Sequence, residues 1–221
     1  MSPGDGQTER AGWRILIAGT GGQGVLTAAR LLCECFVELG HDVVSGQLHG
    51  MAQRGGSVQS SVMIDCGISP VIATGGADIV LGFEPVETAR ALPLMSSRTV
   101  VHMNTAPVIP YVLGQRAALK EGEAEYPDVA KLSDSIRAVA SRVFTFDATG
   151  RALEVASAKA LNMVMVGCLL GCASLPCTPG DFWDIAKGRM PPALVEANTR
   201  AFASGVELVK NTGLAEGRPC H

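Results

Sequence analysis

The chain has 221 residues, of which 47% are hydrophobic and 18% are charged, and its formal net charge at pH 7 is −3. That length and composition are typical of one globular α/β domain with much buried aliphatic surface. The 18 Lys and Arg residues are scattered rather than clustered, which argues against nucleic acid or an anionic membrane as the partner.

Cysteine usage indicates the cellular compartment and bears on metal binding. None of the seven cysteines forms a CxxC pair, and no four of them have the spacing of an iron–sulfur or zinc site. We therefore expect no metal on this chain. An odd number of cysteines without a secretory signal is typical of reduced thiols in the cytosol, so the predicted location is cytoplasmic. Residues 1–12 and 213–221 are expected to be flexible tails that flank a single domain over residues 13–212.

The first half of that domain alternates apolar runs with one amphipathic segment. Residues 13–19 predict a strand buried on both faces, and residues 23–40 predict a helix that ends at a glycine. Residues 41–46 predict a second strand, which completes a right-handed strand–helix–strand unit and starts a parallel sheet. Residues 57–64 predict a further strand, and residues 68–73 are candidates to pair back on it as a hairpin.

The remaining segments continue this pattern and then become helical. Buried strands are predicted over residues 77–83, 98–104 and 142–148, and helices over residues 84–92, 150–159, 160–175, 180–188 and 192–211. The apolar run 160–175 is shorter than the ~20 residues that a bilayer span requires, so we interpret it as a buried helix. The predicted fold is Rossmann-like α/β, with a mostly parallel sheet, flanking helices and a helical C-terminal third.

Residues 19–24, with the sequence GTGGQG, follow the first predicted strand and open the first helix. This is the context of a dinucleotide-binding fingerprint, in which glycines and helix amides approach a pyrophosphate. The acidic residue that binds the ribose is missing at the end of the second strand, where Ser45, Gly46 and Gln47 stand. The alternatives are a phosphate group of another cofactor, or glycines that only allow tight packing of the strand against the helix.

Three stretches together resemble a known family: ILIAGTGGQGVLTAARLL, GQLHGMAQRGGSVQSSV and ADIVLGFEPVETARAL. They are similar to signature stretches of the gamma component of 2-oxoacid:ferredoxin oxidoreductases. The similarity is greatest to the branch that contains the small (beta) subunit of indolepyruvate:ferredoxin oxidoreductase. It extends over almost the whole predicted domain and includes the run LNMVMVGCLL.

The resemblance implies a gamma-type, Rossmann-like subunit of a hetero-oligomer that oxidatively decarboxylates a 2-oxoacid, here indolepyruvate or another arylpyruvate, to acyl-CoA and CO2. It places thiamine diphosphate, Mg²⁺ and [4Fe-4S] clusters on a larger partner subunit, with ferredoxin as the electron acceptor. Coenzyme A is a candidate ligand near the subunit interface, and the chain is expected to be inactive alone. The alternative function is a stand-alone Rossmann-like dinucleotide-binding protein.

Two glycine-rich loops supply the candidate cofactor-binding or cleft-closing residues, while no catalytic residue is assigned. These candidates are Gly19, Gly21, Gly22, Gln23, Gly24, His49, Gln53, Arg54, Gly55 and Gly56. The Arg54 guanidinium is a planar fork suited to a carboxylate or phosphate. One hypothesis is that it faces the cleft shared with the thiamine-bearing subunit. The other is that it pairs with Glu84 or Glu87 and holds its loop against the sheet.

The candidate interface residues lie in two predicted helices: Glu84, Glu87, Arg90, Asn162, Gly167 and Gly171. We interpret Glu84 and Glu87 as acidic residues favoured at a helix N-terminus rather than as an acid–base pair. Gly167 and Gly171 form a flat strip, which suits either a subunit interface or core packing within the chain. Asn162 and His102 are interpreted as packing residues whose polar groups have partners.

Overall fold

The computed structural model describes residues 12–49, 55–108, 126–172 and 175–211. The predicted tails, residues 1–12 and 213–221, lie outside these ranges apart from Gly12. Six strands run through the described residues: β1 Trp13–Thr20, β2 Val43–His49, β3 Ser57–Ile64, β4 Ile79–Gly82, β5 Val100–Asn104 and β6 Arg142–Phe146. The α-helices in the same residues are α1 Val25–Glu38, α2 Pro85–Arg90, α3 Val129–Arg137, α4 Ala148–Val155, α5 Leu161–Cys172, α6 Pro179–Ala186 and α7 Pro192–Asn211.

The strands form one sheet in the order β2-β3-β1-β4-β5-β6. β1, β4, β5 and β6 are parallel neighbours, whereas β3 is antiparallel to both β1 and β2. The prediction of a mostly parallel Rossmann-like sheet is confirmed. The strand–helix–strand unit differs from the prediction because its two strands are not adjacent in the sheet. β2 does run parallel to β1, but β3 is inserted between them, because β2 and β3 form an antiparallel hairpin along their whole length.

Residues 68–73 do not form the predicted hairpin strand. Both edges of β3 are already paired, one with β1 and the other with β2, so no edge is left for a further strand. Pro70 also lacks an N–H group for a ladder. The segment crosses the sheet surface instead, where the Pro70 carbonyl accepts a hydrogen bond from the Ser61 hydroxyl at 2.5 Å and Ile72 is buried.

Helices cover both faces of the sheet, which gives a three-layer α/β/α arrangement with an apolar core on each side. On one face, Ile15 and Ile17 of β1 pack in the core that includes the buried sides of α1 and α5. On the other face, Leu16 of β1 packs in a smaller core that includes Ile136 of α3. Alternate side chains of one strand enter opposite cores, and this explains why residues 13–19 form a continuous apolar run.

The C-terminal third is helical, as predicted. α5 lies between the sheet and α7, and ten of its twelve residues are buried. Within the described ranges, no helix combines the length and the apolarity needed to cross a bilayer. The apolar character of α5 is therefore explained by its position in the interior, with protein on every side.

Candidate functional site at the carboxyl edge of the sheet

The carboxyl ends of β1, β4 and β5 lie side by side, and the loops that follow them meet at one edge of the sheet. In open α/β sheets this edge is where ligands bind. The glycine loop, residues 19–24, follows β1, and Phe83 follows β4. Because β3 is antiparallel to β1, its first residues also lie at this edge. This brings Gly55 and Gly56 beside the glycine loop.

Hydrogen bonds join the two glycine-rich loops to each other and to the sheet. The Gly21 N–H donates to the Gly56 carbonyl at 2.9 Å. The Gln23 side chain accepts from the Thr20 N–H at 2.8 Å and donates to the Phe83 carbonyl at 3.0 Å. The structure therefore brings the two predicted loops together, and it assigns Gln23 the role of a brace between the loop and β4.

Three glycines of the first loop have structural reasons for lacking a side chain. A Cβ atom on Gly19 would lie 2.8 Å from the Phe83 Cβ, closer than packed atoms approach. Gly22 and Gly24 have φ angles of 100° and 84°, a region that other residues rarely adopt. Tight packing thus explains Gly19, and backbone conformation explains Gly22 and Gly24. Gly21 is exposed, and at this position a Cβ would meet only backbone atoms of Gly55 and Gly56 at 3.5 Å or more.

The strand order disfavours a dinucleotide site of the usual form. In that site the acidic residue that binds the ribose ends a strand adjacent to β1. Here the neighbour of β1 on that side is β3, and Ser45–Gln47 lie one strand further away on β2. The lack of an acidic residue on β2 and the insertion of β3 beside β1 both argue against a dinucleotide site. Nothing in the described residues therefore supports the alternative function of a stand-alone dinucleotide-binding protein.

Asn104, the last residue of β5, holds the neighbouring loops together and was missed by the sequence reasoning. Its side-chain NH2 donates to the Phe83 carbonyl and to the Thr149 hydroxyl, both at 2.9 Å. Its side-chain oxygen accepts from the Ala148 and Thr149 N–H groups at 3.0 and 3.3 Å, at the start of α4. Asn104 is fully buried, and the signal for it was a polar residue at the end of an apolar run, which must find partners.

Glu84 is buried at the N-cap of α2, and both of its carboxylate oxygens are occupied. One oxygen accepts from the Glu87 N–H at 2.9 Å, while the other accepts from the Val108 N–H at 3.3 Å and from the Tyr126 hydroxyl. Burial and the hydrogen bond to Glu84 raise the pKa of the Tyr126 phenol above its ordinary value. The interpretation that Glu84 belongs to the helix terminus is supported. Glu84 is not available at the surface as an interface residue, because it is only 2% exposed.

Glu87 and Arg90 form an i, i+3 pair at the same place. One carboxylate oxygen of Glu87 accepts from the Arg90 guanidinium at 3.1 Å, and the other is buried with no hydrogen-bond partner in the described part of the chain. Arg90 itself is largely exposed and remains a candidate interface residue. Gln53 and Arg54 lie outside the described residues, as does the position of the His49 side chain, so the two hypotheses for Arg54 stay predictions.

The glycine strip of α5 packs within the chain. A Cβ atom on Gly167 would overlap the Phe202 carbonyl of α7, and one on Gly171 would lie 3.2 Å from the Val206 backbone. A helix of the same chain therefore covers the strip, so the two glycines are not interface residues. Asn162, at the start of α5, lies instead against the glycine loop, where a Cβ on Gly24 would be 3.0 Å from its side chain.

His102 lies in the interior and not in a cleft. Its ring is fully buried, stacks on Phe144 with ring centroids 5.0 Å apart, and has both nitrogens 3.7 Å from the Cys172 sulfur. Burial lowers the pKa of the His102 imidazole to about 3. Neutral His102 is therefore a packing residue, as interpreted from the sequence. Across the described ranges, no group of three or more His, Cys, Asp or Glu side chains is placed to hold a metal ion.

Comparison with known proteins identifies the class to which this fold and site belong. The family described as "Pyruvate ferredoxin/flavodoxin oxidoreductase" matches residues 14–208, nearly the whole chain. The chain belongs to this family. The predicted resemblance to a gamma component is confirmed, as is the prediction that the chain is an oxidoreductase subunit.

Two curated relatives of this chain are subunits of indolepyruvate oxidoreductases. The chain is 34% identical over 191 residues to the indolepyruvate oxidoreductase subunit IorB of Archaeoglobus fulgidus, covering 86% of this chain and 92% of the relative. It is 33% identical over 193 residues to IorB of Methanothermobacter thermautotrophicus, covering 87% and 95%.

Among solved structures, the gamma subunit of a keto/oxoacid ferredoxin oxidoreductase from Geobacter sulfurreducens has the same fold. Its TM-score is 0.63 at 20% identity, covering 90% of this chain and 99% of that one. The 2-oxoglutarate:ferredoxin oxidoreductase of Magnetococcus marinus gives a TM-score of 0.68 at 16% identity, where 95% of this chain matches 33% of a longer chain. The gamma-type fold also occurs, therefore, as one part of a larger polypeptide.

Proposed function

We propose that this chain is the cluster-free small subunit of an indolepyruvate or arylpyruvate:ferredoxin oxidoreductase. The observation that carries the proposal is its similarity to IorB subunits over nearly their full length, at 34% and 33% identity. The reaction converts a 2-oxoacid and coenzyme A to acyl-CoA and CO2, and two electrons pass to ferredoxin. In the cell, we place the complex in the cytoplasm.

The proposal divides the cofactors between this chain and its partner. Bound thiamine diphosphate with Mg²⁺ would supply the carbanion chemistry of decarboxylation, and [4Fe-4S] clusters would carry the electrons. On this proposal these groups belong to a larger partner subunit, as the resemblance to the gamma component implies. The chain's own contribution is then structural: it completes a binding cleft that the partner forms in part.

The edge that carries the two glycine loops is the surface we propose for that cleft. Gly21 and Gly55 are exposed there, so a partner or a coenzyme A phosphate can approach the backbone closely. Gln23 and Asn104 both donate to the carbonyl of Phe83, which follows β4, and these bonds tie the first glycine loop to the sheet. The fit to a phosphate is partial, because the Gly21 N–H is already bonded to Gly56, and Arg54 is then the residue expected to add positive charge.

A substrate profile of the complex tests the proposal. The tagged chain is purified from its own host with its partner, and 2-oxoacid-dependent reduction of a viologen dye is measured in the presence of coenzyme A. Indolepyruvate and phenylpyruvate are compared with pyruvate and 2-oxoglutarate. We expect kcat/KM for an arylpyruvate to exceed that for the aliphatic acids by roughly tenfold or more, a difference of ~1.4 kcal/mol in transition-state binding. A higher kcat/KM for pyruvate or 2-oxoglutarate would overturn the substrate assignment.

The role of the loop is tested in the same complex with Arg54→Ala. The expected result is a lower turnover with the complex still assembled, because the cleft loses a cation while the sheet is untouched. Arg189→Ala is the matched control, since Arg189 makes an exposed ion pair with Glu38 at the opposite end of α1. Loss of assembly in Arg54→Ala alone would support the hypothesis that Arg54 holds its loop against the sheet.

A further inference from the structure

Two cysteines that are far apart in the sequence lie in contact inside the fold. Cys35 is on the buried side of α1, and Cys177 stands two residues before α6 begins. Their sulfur atoms are 3.2 Å apart, although the residues are separated by 142 positions. Cys35 is 0% exposed and Cys177 is 6% exposed. Both are free thiols.

The surrounding structure holds the two thiols in this position. α1 and α6 pack against the same core, so the distance between their backbones is fixed. α6 starts with a reciprocal capping arrangement, in which the Thr178 hydroxyl accepts from the Asp181 N–H and the Asp181 carboxylate accepts from the Thr178 N–H. Cys177 directly precedes this cap. The contact is therefore between α1 and the residue that directly precedes the cap of α6. A bond requires the sulfurs to approach by only about 1 Å, since the S–S bond is about 2.05 Å long.

We propose that Cys35 and Cys177 are a redox-active pair that forms a disulfide when the chain meets a low-molecular-weight disulfide. The Cys177 thiolate attacks one sulfur of the reagent and forms a mixed disulfide, and the first small thiol leaves. The Cys35 sulfur then attacks the Cys177 sulfur, and the second small thiol leaves. The two protein thiols are oxidised, the reagent is reduced to two thiols, and the two protons lost by the protein are taken up by those thiols.

The geometry also decides which cysteine reacts first. Cys177 is the more exposed of the two residues, at 6% against 0% for Cys35, and its neighbours Pro176 and Thr178 are exposed. The hydrogen bond between the two sulfurs lowers the pKa of the Cys177 thiol and raises that of Cys35. Cys177 is therefore the attacking thiolate and Cys35 the resolving thiol.

A metal site is a poorer explanation of the same contact. Two thiolates on one tetrahedral zinc ion, with Zn–S bonds of about 2.3 Å, lie about 3.8 Å apart. The observed separation is 3.2 Å. No third His, Cys, Asp or Glu joins them to form a metal-binding group within the described residues. A sulfur–sulfur bond needs no further ligand, so the pair is complete as it stands.

Oxidation of the full-length chain with excess glutathione disulfide, followed by alkylation and peptide mapping without reduction, tests the proposal. The expected product is a cross-linked peptide that contains Cys35 and Cys177, lost in Cys177→Ala and restored to free thiols by dithiothreitol. Cys33→Ala, which changes a half-buried cysteine on the same helix, is the matched control and should keep the cross-link. We also expect a higher Tm for the oxidised wild-type chain, because the bond closes a long loop of the unfolded state.

Two results would overturn the proposal. One is full alkylation of Cys35 and Cys177 in wild-type protein after treatment with glutathione disulfide and, separately, with hydrogen peroxide. Hydrogen peroxide is small, so a failure with both oxidants could not be explained by exclusion of a bulky reagent from the buried thiols. The other is a cross-link that joins either cysteine to a third one. Because the readout is a covalent bond in wild-type protein, it does not depend on how the variants fold or on whether the proposed enzymatic function holds.

Discussion

Acid should destabilise the fold through His102, and the size of the effect follows from its burial. The imidazole is fully buried and its pKa is lowered to about 3, whereas an unfolded histidine titrates near 6.5. Below pH 6.5 the unfolded chain binds a proton that the folded chain does not bind. Stability from neutral His102 is thus fully present above pH 6.5 and is lost as pH falls towards 3.

The magnitude can be worked out for an accessible pH range. Each pH unit below 6.5 costs about 1.4 kcal/mol, so pH 5 should cost about 2 kcal/mol relative to pH 7 from this residue alone. The assay is urea unfolding at both pH values, in wild type and in His102→Phe, which keeps a ring that can stack on Phe144. The loss of unfolding free energy between pH 7 and pH 5 should be about 2 kcal/mol smaller in the variant.

Cys172→Ala is the control for this experiment. It removes the sulfur that lies 3.7 Å from the imidazole nitrogens but leaves the histidine buried, so the dependence of stability on pH should stay that of the wild type. Comparing differences within each protein cancels the other titrating groups and any constant cost of the substitution. An equal loss in wild type and His102→Phe would mean that His102 is protonated in the folded chain, and the buried imidazole would then not be the source of acid sensitivity.

Three further changes test the packing and the polar network by urea unfolding. Glu84→Gln should cost about 1–3 kcal/mol, because an amide NH2 then faces a buried donor. Glu87→Gln should cost less than about 1 kcal/mol, because among the described residues its side chain accepts from the exposed Arg90 alone. Equal costs would contradict the capping role of Glu84. Gly205→Ala should lower the free energy of unfolding by about 1–3 kcal/mol, since its Cβ would overlap the Val164 carbonyl. Gly188→Ala, in open space, is the control and should change that free energy by no more than about 0.5 kcal/mol. A stable Gly205→Ala would contradict the close contact between α5 and α7. Asn104→Asp should cost about 1–3 kcal/mol at pH 7, because the carboxylate cannot donate to the Phe83 carbonyl, and wild-type stability would contradict that account.

Sequence patterns predicted the elements of the fold because those patterns are local. Apolar runs predicted strands over residues 13–19 and 98–104, and alternation of apolar residues predicted the strand over residues 57–64. The glycine after residue 39 marked the end of α1. The order of strands depends instead on which edges pair across long distances, and no local pattern encodes it. β3 therefore occupies the place beside β1 that the sequence had suggested for β2.

The candidate site was predicted in part for the same reason. The two glycine-rich loops were recognised from their composition, but the hydrogen bond from the Gly21 N–H to the Gly56 carbonyl was found only in the structure. The roles of Asn104 and Tyr126 at this edge of the sheet were not found. Asn104 donates to the Phe83 carbonyl and Tyr126 donates to Glu84, and only the folded chain creates these contacts. The glycines of α5 show the converse. Their spacing indicated a close helix contact, but only the structure shows that the partner helix is α7.

The most direct test of the proposed function is to identify what the chain binds in its own host. The chain is tagged at its chromosomal locus and purified gently without oxygen, and the co-purifying proteins are identified by mass spectrometry. Visible absorption spectra and thiamine diphosphate are measured on the same sample. We expect a larger partner in stable ratio, with thiamine diphosphate and the brown absorbance of iron–sulfur clusters. A colourless chain that purifies without a partner under several mild conditions would contradict it.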